Sequence, residues 1–224
     1  MKKKIKNLFP IICFISCIIF VIFIGYQIYR EPYQEADKRN HFGDRLIDDY
    51  MDEKAQISNE VPSEEAPLVE YQYSDVNDYS FRGYIDCILV IDKINMKKAI
   101  IRGNILADSD FNLSKYYFVT ADLSTTLDGN YIIYGHSSQT YGHSFNRLDE
   151  MNVDDTFYII QGGTRYRYKV ESVNRVLRSK SETYFPQDIG KRVTLVACEK
   201  SLAPGYSEKR IIIVRAVQMG KERA

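Results

Sequence analysis

The chain has 224 residues, 45% of them hydrophobic and 27% charged, with 30 Lys and Arg against 30 Asp and Glu. That length holds one domain of ordinary size and some additional chain. The only sizeable basic excess, 21 Lys and Arg against 16 Asp and Glu over residues 80–224, is spread evenly along the sequence, which excludes the clustered footprint of a nucleic-acid-binding protein.

Residues 1–7 carry Lys2, Lys3, Lys4 and Lys6 and no acid. The next run, LFPIICFISCIIFVIFIGYQIY (residues 8–29), has no charge, and about 20 apolar residues suffice to cross a bilayer as a helix. A cleaved signal peptide would have an apolar part of only about 7–15 residues ending at small residues; here bulky Tyr26, Gln27, Ile28 and Tyr29 close the run. The expectation is an uncleaved transmembrane helix with its lysines in the cytoplasm. Everything after residue 30 is then extracellular on a single-pass cell-membrane protein.

Residues 30–79 read as an acidic stalk: positions 31–79 hold 14 Asp and Glu against 4 Lys and Arg. Phe42, Leu46, Tyr50 and Met51 recur at helical spacing, enough for an apolar stripe that docks on a neighbour. SNEVPSEEAP (residues 58–67) is a linker by composition.

From residue 80 the texture changes to short strands rich in Ile, Val and Tyr, predicted at 84–91, 97–102, 115–120, 130–134, 156–161, 164–177, 192–197 and 210–217. Gly162-Gly163 between TFYIIQ and TRYRYKV is a two-residue hairpin turn. Helical pattern is confined to SFNRLDEM, with Ser144 as its candidate cap. Eight strands and few helices predict a mostly β fold, an eight-stranded closed or nearly closed β-barrel over residues 80–224.

Of four cysteines, Cys13 and Cys17 fall in the apolar span, and Cys87 alternates onto the face of Ile85, Leu89 and Ile91, as a core residue does. Cys198 is different, because it ends the strand of RVTLVACEKS next to charged residues, where a thiolate would be reachable. Two further positions share this strand-end character: His136, just after NYIIYG, and Arg210, at the start of RIIIVRAV. If the strands holding Cys198 and Arg210 were antiparallel neighbours, both residues would sit at one end of the sheet. The trio suffices for acyl transfer: a thiolate nucleophile, an imidazole proton carrier and a permanent cation for an oxyanion. Taken singly, each residue has an ordinary structural explanation.

Together, IIYGHS around His136, TLVAC ending in Cys198 and KRIIIVRA with Arg210 as its second residue, 62 and 12 positions apart, resemble the sortases. These are membrane-anchored cysteine transpeptidases of Gram-positive bacteria. The resemblance covers residues 80–217 and the amino-terminal anchor. It implies catalytic His136, Cys198 and Arg210, with Glu199 (through its backbone amide), Thr194 and Ala197 bordering the oxyanion and substrate site. Ala197 stands where the family usually has threonine. The implied partners are secreted proteins with an LPxTG-type carboxy-terminal sorting signal, and an acceptor amine from a cell-wall precursor or a pilin. HSFNRLDEM and the helical stalk look like class B sortases, whereas the 62-residue spacing is that of class A or D; a class B-like enzyme is favoured. Two alternatives stand beside this reading: a membrane-tethered thiol hydrolase, and a surface binding domain with an inert cysteine.

No cofactor is expected. His143 and His136 lack the tight spacing of a zinc pair, and Asp149, Glu150, Asp154 and Asp155 lack a calcium-loop signature, so a solvated acidic face is favoured over a calcium site.

Overall fold

The computed structural model describes residues 14–28, 30, 43–52, 71–74, 80–103, 119–122, 124–137, 145–186, 189–199 and 210–224. The chain divides into two compact units, Met1–Arg39 and Asn40–Ala224. In the first, residues 14–28 form a helix, α1, with exposed apolar side chains such as Phe14, Ile19 and Val21. Among the described residues no helix is long and apolar enough to cross a membrane. Residues 8–13, where the expected span begins, lie outside the described residues, as do Phe42 and the linker at 58–67.

The second unit is built from strands: β1 (Tyr71–Ser74), β2 (Ser80–Ile91), β3 (Met96–Gly103), β4 (Val119–Ala121), β5 (Asn130–Gly135), β6 (Thr156–Gln161), β7 (Thr164–Leu177), β8 (Arg192–Cys198) and β9 (Arg210–Arg223). Their order is β1-β2-β3-β4-β5-β8-β9-β7-β6, and β6 also pairs with β2. That last ladder closes β2–β9 into an eight-stranded barrel, with β1 added beside the first residues of β2. The β3–β4 and β5–β8 ladders are parallel. Each of the eight predicted strands overlaps an observed one, and β6 and β7 have the predicted bounds; of the strand predicted at 115–120, residues 115–118 lie outside the described residues. Gly162 and Gly163 turn between them at φ of 54° and 73°, the left-handed region glycine enters without strain.

Three apolar clusters explain why so many strands lack a polar face. The barrel interior takes one row from each strand, including Leu89, Tyr131, Phe157, Leu195 and Val214. A second cluster lies outside β2, β3 and β6, under a helix at residues 43–52, α2, through Leu46, Ile47 and Tyr50. The docking stripe thus uses Ile47, while Met51 stays 40% exposed. A third cluster lies outside β5, β8 and β9 (Ile132, Val196, Ile211 and Ile213), packed against Tyr184 and Phe185. Strands covered on both faces read as continuous apolar runs rather than alternations, as in RIIIVRAV.

Two local readings change. A bulge between Ile85 and Cys87 adds one residue and flips the alternation, so Ile85 packs toward α2 while Cys87, Leu89 and Ile91 face inward. In SFNRLDEM the helix is one 3-10 turn, Leu148–Glu150, with Arg147 at its N-cap position. Ser144 lies outside the described residues.

Asp86, at the bulge, gathers the barrel's far end. Its carboxylate accepts from Arg102 Nε at 2.6 Å, Tyr131 Oη at 2.5 Å and Gln161 Nε2 at 2.9 Å. Its carbonyl accepts from Tyr50 of α2 at 3.2 Å, and Arg102 Nη2 donates to Thr125 O at 2.5 Å. Four strands therefore meet at one charge, and the docked helix meets the backbone of the same residue. The Arg102 and Asp86 side chains are only 10% and 13% exposed, so Asp86→Ala strands a guanidinium in a poorly hydrated place. Breaking such a pair costs about 3–5 kcal/mol. Urea unfolding of residues 40–224 should show that loss as a lower midpoint at unchanged slope, and Tyr50→Phe should cost only about 0.5–1.5 kcal/mol. Equal midpoints for wild type and Asp86→Ala would contradict this role.

Candidate active site

The parallel β5–β8 ladder runs in register from Asn130↔Arg192 to Gly135↔Ala197. One step further along both strands bring His136 beside Cys198. On the other side of β8 the antiparallel ladder pairs Cys198 with Ile211, so β9 starts where β8 ends. Three separate segments thus deliver His136, Cys198 and Arg210 to one rim of the barrel. Cys198 is exposed and Cys87 buried, and no disulfide joins them.

His136 owes its position to Gly135. A Cβ on Gly135 would come within 2.7 Å of Phe145 Cγ, so only glycine lets the buried Phe145 ring pack against the strand end. Phe145 N then donates to His136 O at 2.8 Å, fixing the backbone that carries the imidazole.

Side chains alternate along a strand, and the alternation sorts the rim. Outward rows run Ile132, Tyr134, His136 on β5, and Thr194, Val196, Cys198 on β8, with Ile211 and Ile213 beside them on β9. Inward rows of β8 and β9 contain Leu195 and Ala197, and Ile212 and Val214. Arg210 continues the inward row to the rim, opposite Glu199. Its Nε lies 3.0 Å from Glu199 Oε2, and its Nη2 donates to Arg175 O at 3.3 Å.

Three expected roles change. The Glu199 amide donates to Arg210 O at 2.9 Å, which continues the ladder and commits that hydrogen to the sheet rather than to an oxyanion. Thr194 is fully buried, two pleats below Cys198, and donates through Oγ1 to Asn130 Oδ1 at 2.7 Å. Ala197 is 2% exposed and faces the barrel interior. Neither Thr194 nor Ala197 offers a side chain to a ligand at the rim.

Sequence reasoning missed the segment that covers the outward face. Tyr184 and Phe185, an aromatic pair in the otherwise polar RSKSETYFPQDIGKR, pack on the third cluster, with Phe185 edge-on to Tyr134 at 6.5 Å between ring centroids. Arg215 Nη2 donates to Tyr184 O at 2.6 Å and Asn130 Nδ2 to Pro186 O at 2.9 Å. The buried Thr194 therefore steadies this wall through Asn130. Tyr134, Val176, Tyr184 and Phe185, all partly buried, close over the buried Val196 and Ile211 on the outward face next to Cys198.

The acidic residues near the rim are engaged locally. Lys93 lies 2.6 Å from Asp155, Lys169 3.0 Å from Asp154 and Arg147 2.7 Å from Glu150. Among the described residues no group of three His, Cys, Asp or Glu is arranged to hold a metal. His143 lies outside them.

A sequence model of the sortase domain matches residues 89–218, more than half of the chain. The chain belongs to the sortase family. Sortases are cysteine transpeptidases, so the protein is an enzyme of that kind. Solved sortases share the fold at low identity. The sortase D5 transpeptidase of Clostridium perfringens is 16% identical, with a TM-score of 0.52 over 81% of this chain and 98% of that one. Sortase A of Listeria monocytogenes is 16% identical, with a TM-score of 0.51 over 62% and 90%. A lid mutant of sortase A from Corynebacterium diphtheriae is 21% identical, with a TM-score of 0.50 over 62% and 72%. No curated protein matches the sequence.

The two cysteines of this sortase domain should behave oppositely. Burial, reinforced by the charge of Asp86, pushes the Cys87 thiol well above its ordinary value. Iodoacetamide near neutral pH should therefore modify Cys198 in the folded domain and reach Cys87 only on unfolding. A raised native pKa means the unfolded chain releases its proton first as pH climbs. The stability Cys87 contributes is present below the ordinary thiol range of about 8.5 and lost as pH rises through the native value. Urea midpoints should fall above that range, less steeply in Cys87→Ala. Equal labelling of both thiols in the folded protein would contradict the assignment.

Proposed function

We propose that this sortase cleaves an LPxTG-like sorting signal of secreted proteins and transfers the acyl part to an amine of a cell-wall precursor or a pilin. The observation that carries the reading is the parallel β5–β8 register, whose continuation sets His136 beside Cys198 at one rim of the barrel, within the matched sortase domain.

The thiolate of Cys198 attacks the threonine carbonyl carbon of the signal. Arg210 supplies positive charge and N–H donors to the oxygen as it becomes an oxyanion. The tetrahedral adduct collapses, the C–N bond to the following glycine breaks, and protonated His136 gives its proton to the leaving amine. The thioester left on Cys198 keeps the acylating power of the cleaved bond. Neutral His136 then takes a proton from the incoming amine as it attacks the thioester, and the Cys198 thiolate departs. The outward face closed by Tyr134, Tyr184 and Phe185 gives the peptide a surface next to the sulfur. The apolar amino-terminal segment, with α1 in it, is the part that would hold the enzyme in the cell membrane with its catalytic domain outside.

Residues 40–224, incubated with a panel of sorting peptides, should give a mass increase on Cys198 equal to the acyl fragment, and an amine should convert it to a transpeptidation product. Cys198→Ala should give neither. Arg210→Ala should slow acylation by about 10²–10³-fold, the scale of one oxyanion donor, and Arg210→Lys should recover only part because lysine lacks the planar fork. Release to water alone, unaffected by amine, would mark a hydrolase. No adduct with any peptide would overturn the enzymatic mechanism.

A further inference from the structure

Glu199 directly follows the nucleophile, and its carboxylate lies between two arginines. Oε2 is 3.0 Å from Arg210 Nε and Oε1 is 3.5 Å from Arg175 Nε. Arg175 sits on β7, two residues before the Leu177↔Arg210 pair. It is fixed from its far side as well, since its Nη2 donates to Asp149 O at 3.2 Å. The side chains of Arg175 and Arg210 are about half exposed, at 46% and 47%, with Glu199 at 29%.

An Arg210–Glu199 pair by itself would be neutral, and a guanidinium held by its own carboxylate is a poorer partner for a second anion. With Arg175 present, one negative charge is divided between two cations, one oxygen to each, and the cluster keeps a net positive charge at the rim. The contacts made by Arg210 use Nε and Nη2, two of the atoms of its five-donor fork; Nη1 is the atom they leave for another acceptor.

We infer that Arg175 is a positioning residue for the transfer reaction, drawing the Glu199 carboxylate toward itself so that Arg210 keeps its charge and its reach for the reacting carbonyl. This rests on the role given to Arg210 above. Arg175 does not touch substrate in this account. It acts through Glu199, and the direction of its effect follows: removing Arg175 leaves Glu199 to grip Arg210 alone, whereas removing the carboxylate makes Arg175 dispensable.

The full chain in detergent, with single-turnover acylation and steady-state rates for a sorting peptide, tests this through Arg175→Ala, Arg175→Lys, Glu199→Gln and the Arg175→Ala/Glu199→Gln double variant. Arg175→Ala should lower kcat by roughly fivefold, the equivalent of about 1 kcal/mol for an exposed ion pair, with KM within about twofold on the same scale. Arg175→Lys should retain most of the rate. The double variant should recover the rate of Glu199→Gln, a suppression that loss of a merely structural arginine would not show. An activity-independent arm reads the exchange of the Arg210 Nε proton with water by NMR of arginine-labelled protein: slower in Arg175→Ala, faster in Glu199→Gln. Wild-type rates in Arg175→Ala, a double variant no better than Arg175→Ala, or unchanged Arg210 exchange would each overturn the inference. A wild type that forms no adduct would instead sink the transpeptidase mechanism, and the exchange measurement would still decide whether Arg175 governs Arg210.

Discussion

The parallel pairing of β5 with β8 is the constraint on which the site depends. Parallel neighbours end at the same edge of a sheet, so two strands 62 residues apart in start position can place their carboxy-terminal residues side by side. A hairpin cannot do this, because it would put the end of one strand beside the start of the other. The chain meets the requirement by running from β5 through the β6–β7 hairpin and the 178–191 connection before β8 begins. Register then does the rest: Gly135 opposite Ala197 leaves imidazole and thiol as the next residues on the same row.

Around that ladder the barrel has its outer faces covered. Rigid strands with function placed at their ends are a general solution, since loops vary while the scaffold holds position. Here α2 covers one outer face and the Tyr184–Phe185 segment covers another. The far end is tied by Asp86, whose carboxylate joins β2, β3, β5 and β6. The polar bonds to Asn130 and Arg215 hold the aromatic wall from beneath, so the surface nearest Cys198 is fixed by groups well removed from it.

Much of this was legible in the sequence, for identifiable reasons. Strand-forming runs separated by turn residues located all eight barrel strands, and the glycine pair fixed the β6–β7 hairpin to the residue. The strand-end placement of Cys198, His136 and Arg210 could be read because a charged or small residue interrupts an apolar run at each. What could not be read depended on partners distant in sequence. The bulge at Asp86 flips Ile85 to the other face, and alternation gives no warning of an inserted residue. Thr194 looked like a groove residue until Asn130, 64 positions away, was found to occupy its hydroxyl. The Glu199 amide was expected at an oxyanion, and only the β8–β9 register shows it spent on Arg210. Arg175 sits among many surface arginines and gains meaning only beside Glu199.

The account stands on His136 and the sulfur of Cys198 serving one bound peptide from the outward face of the sheet. A crystal structure of residues 40–224 with a sorting-signal mimic disulfide-bonded to Cys198 tests that most directly. The expected peptide lies against Tyr184 and Phe185, with the His136 ring within hydrogen-bonding distance, roughly 3 Å, of the group that replaces the leaving amine. A peptide leaving the sulfur across the inward rim, with the imidazole turned away from it, would contradict the account.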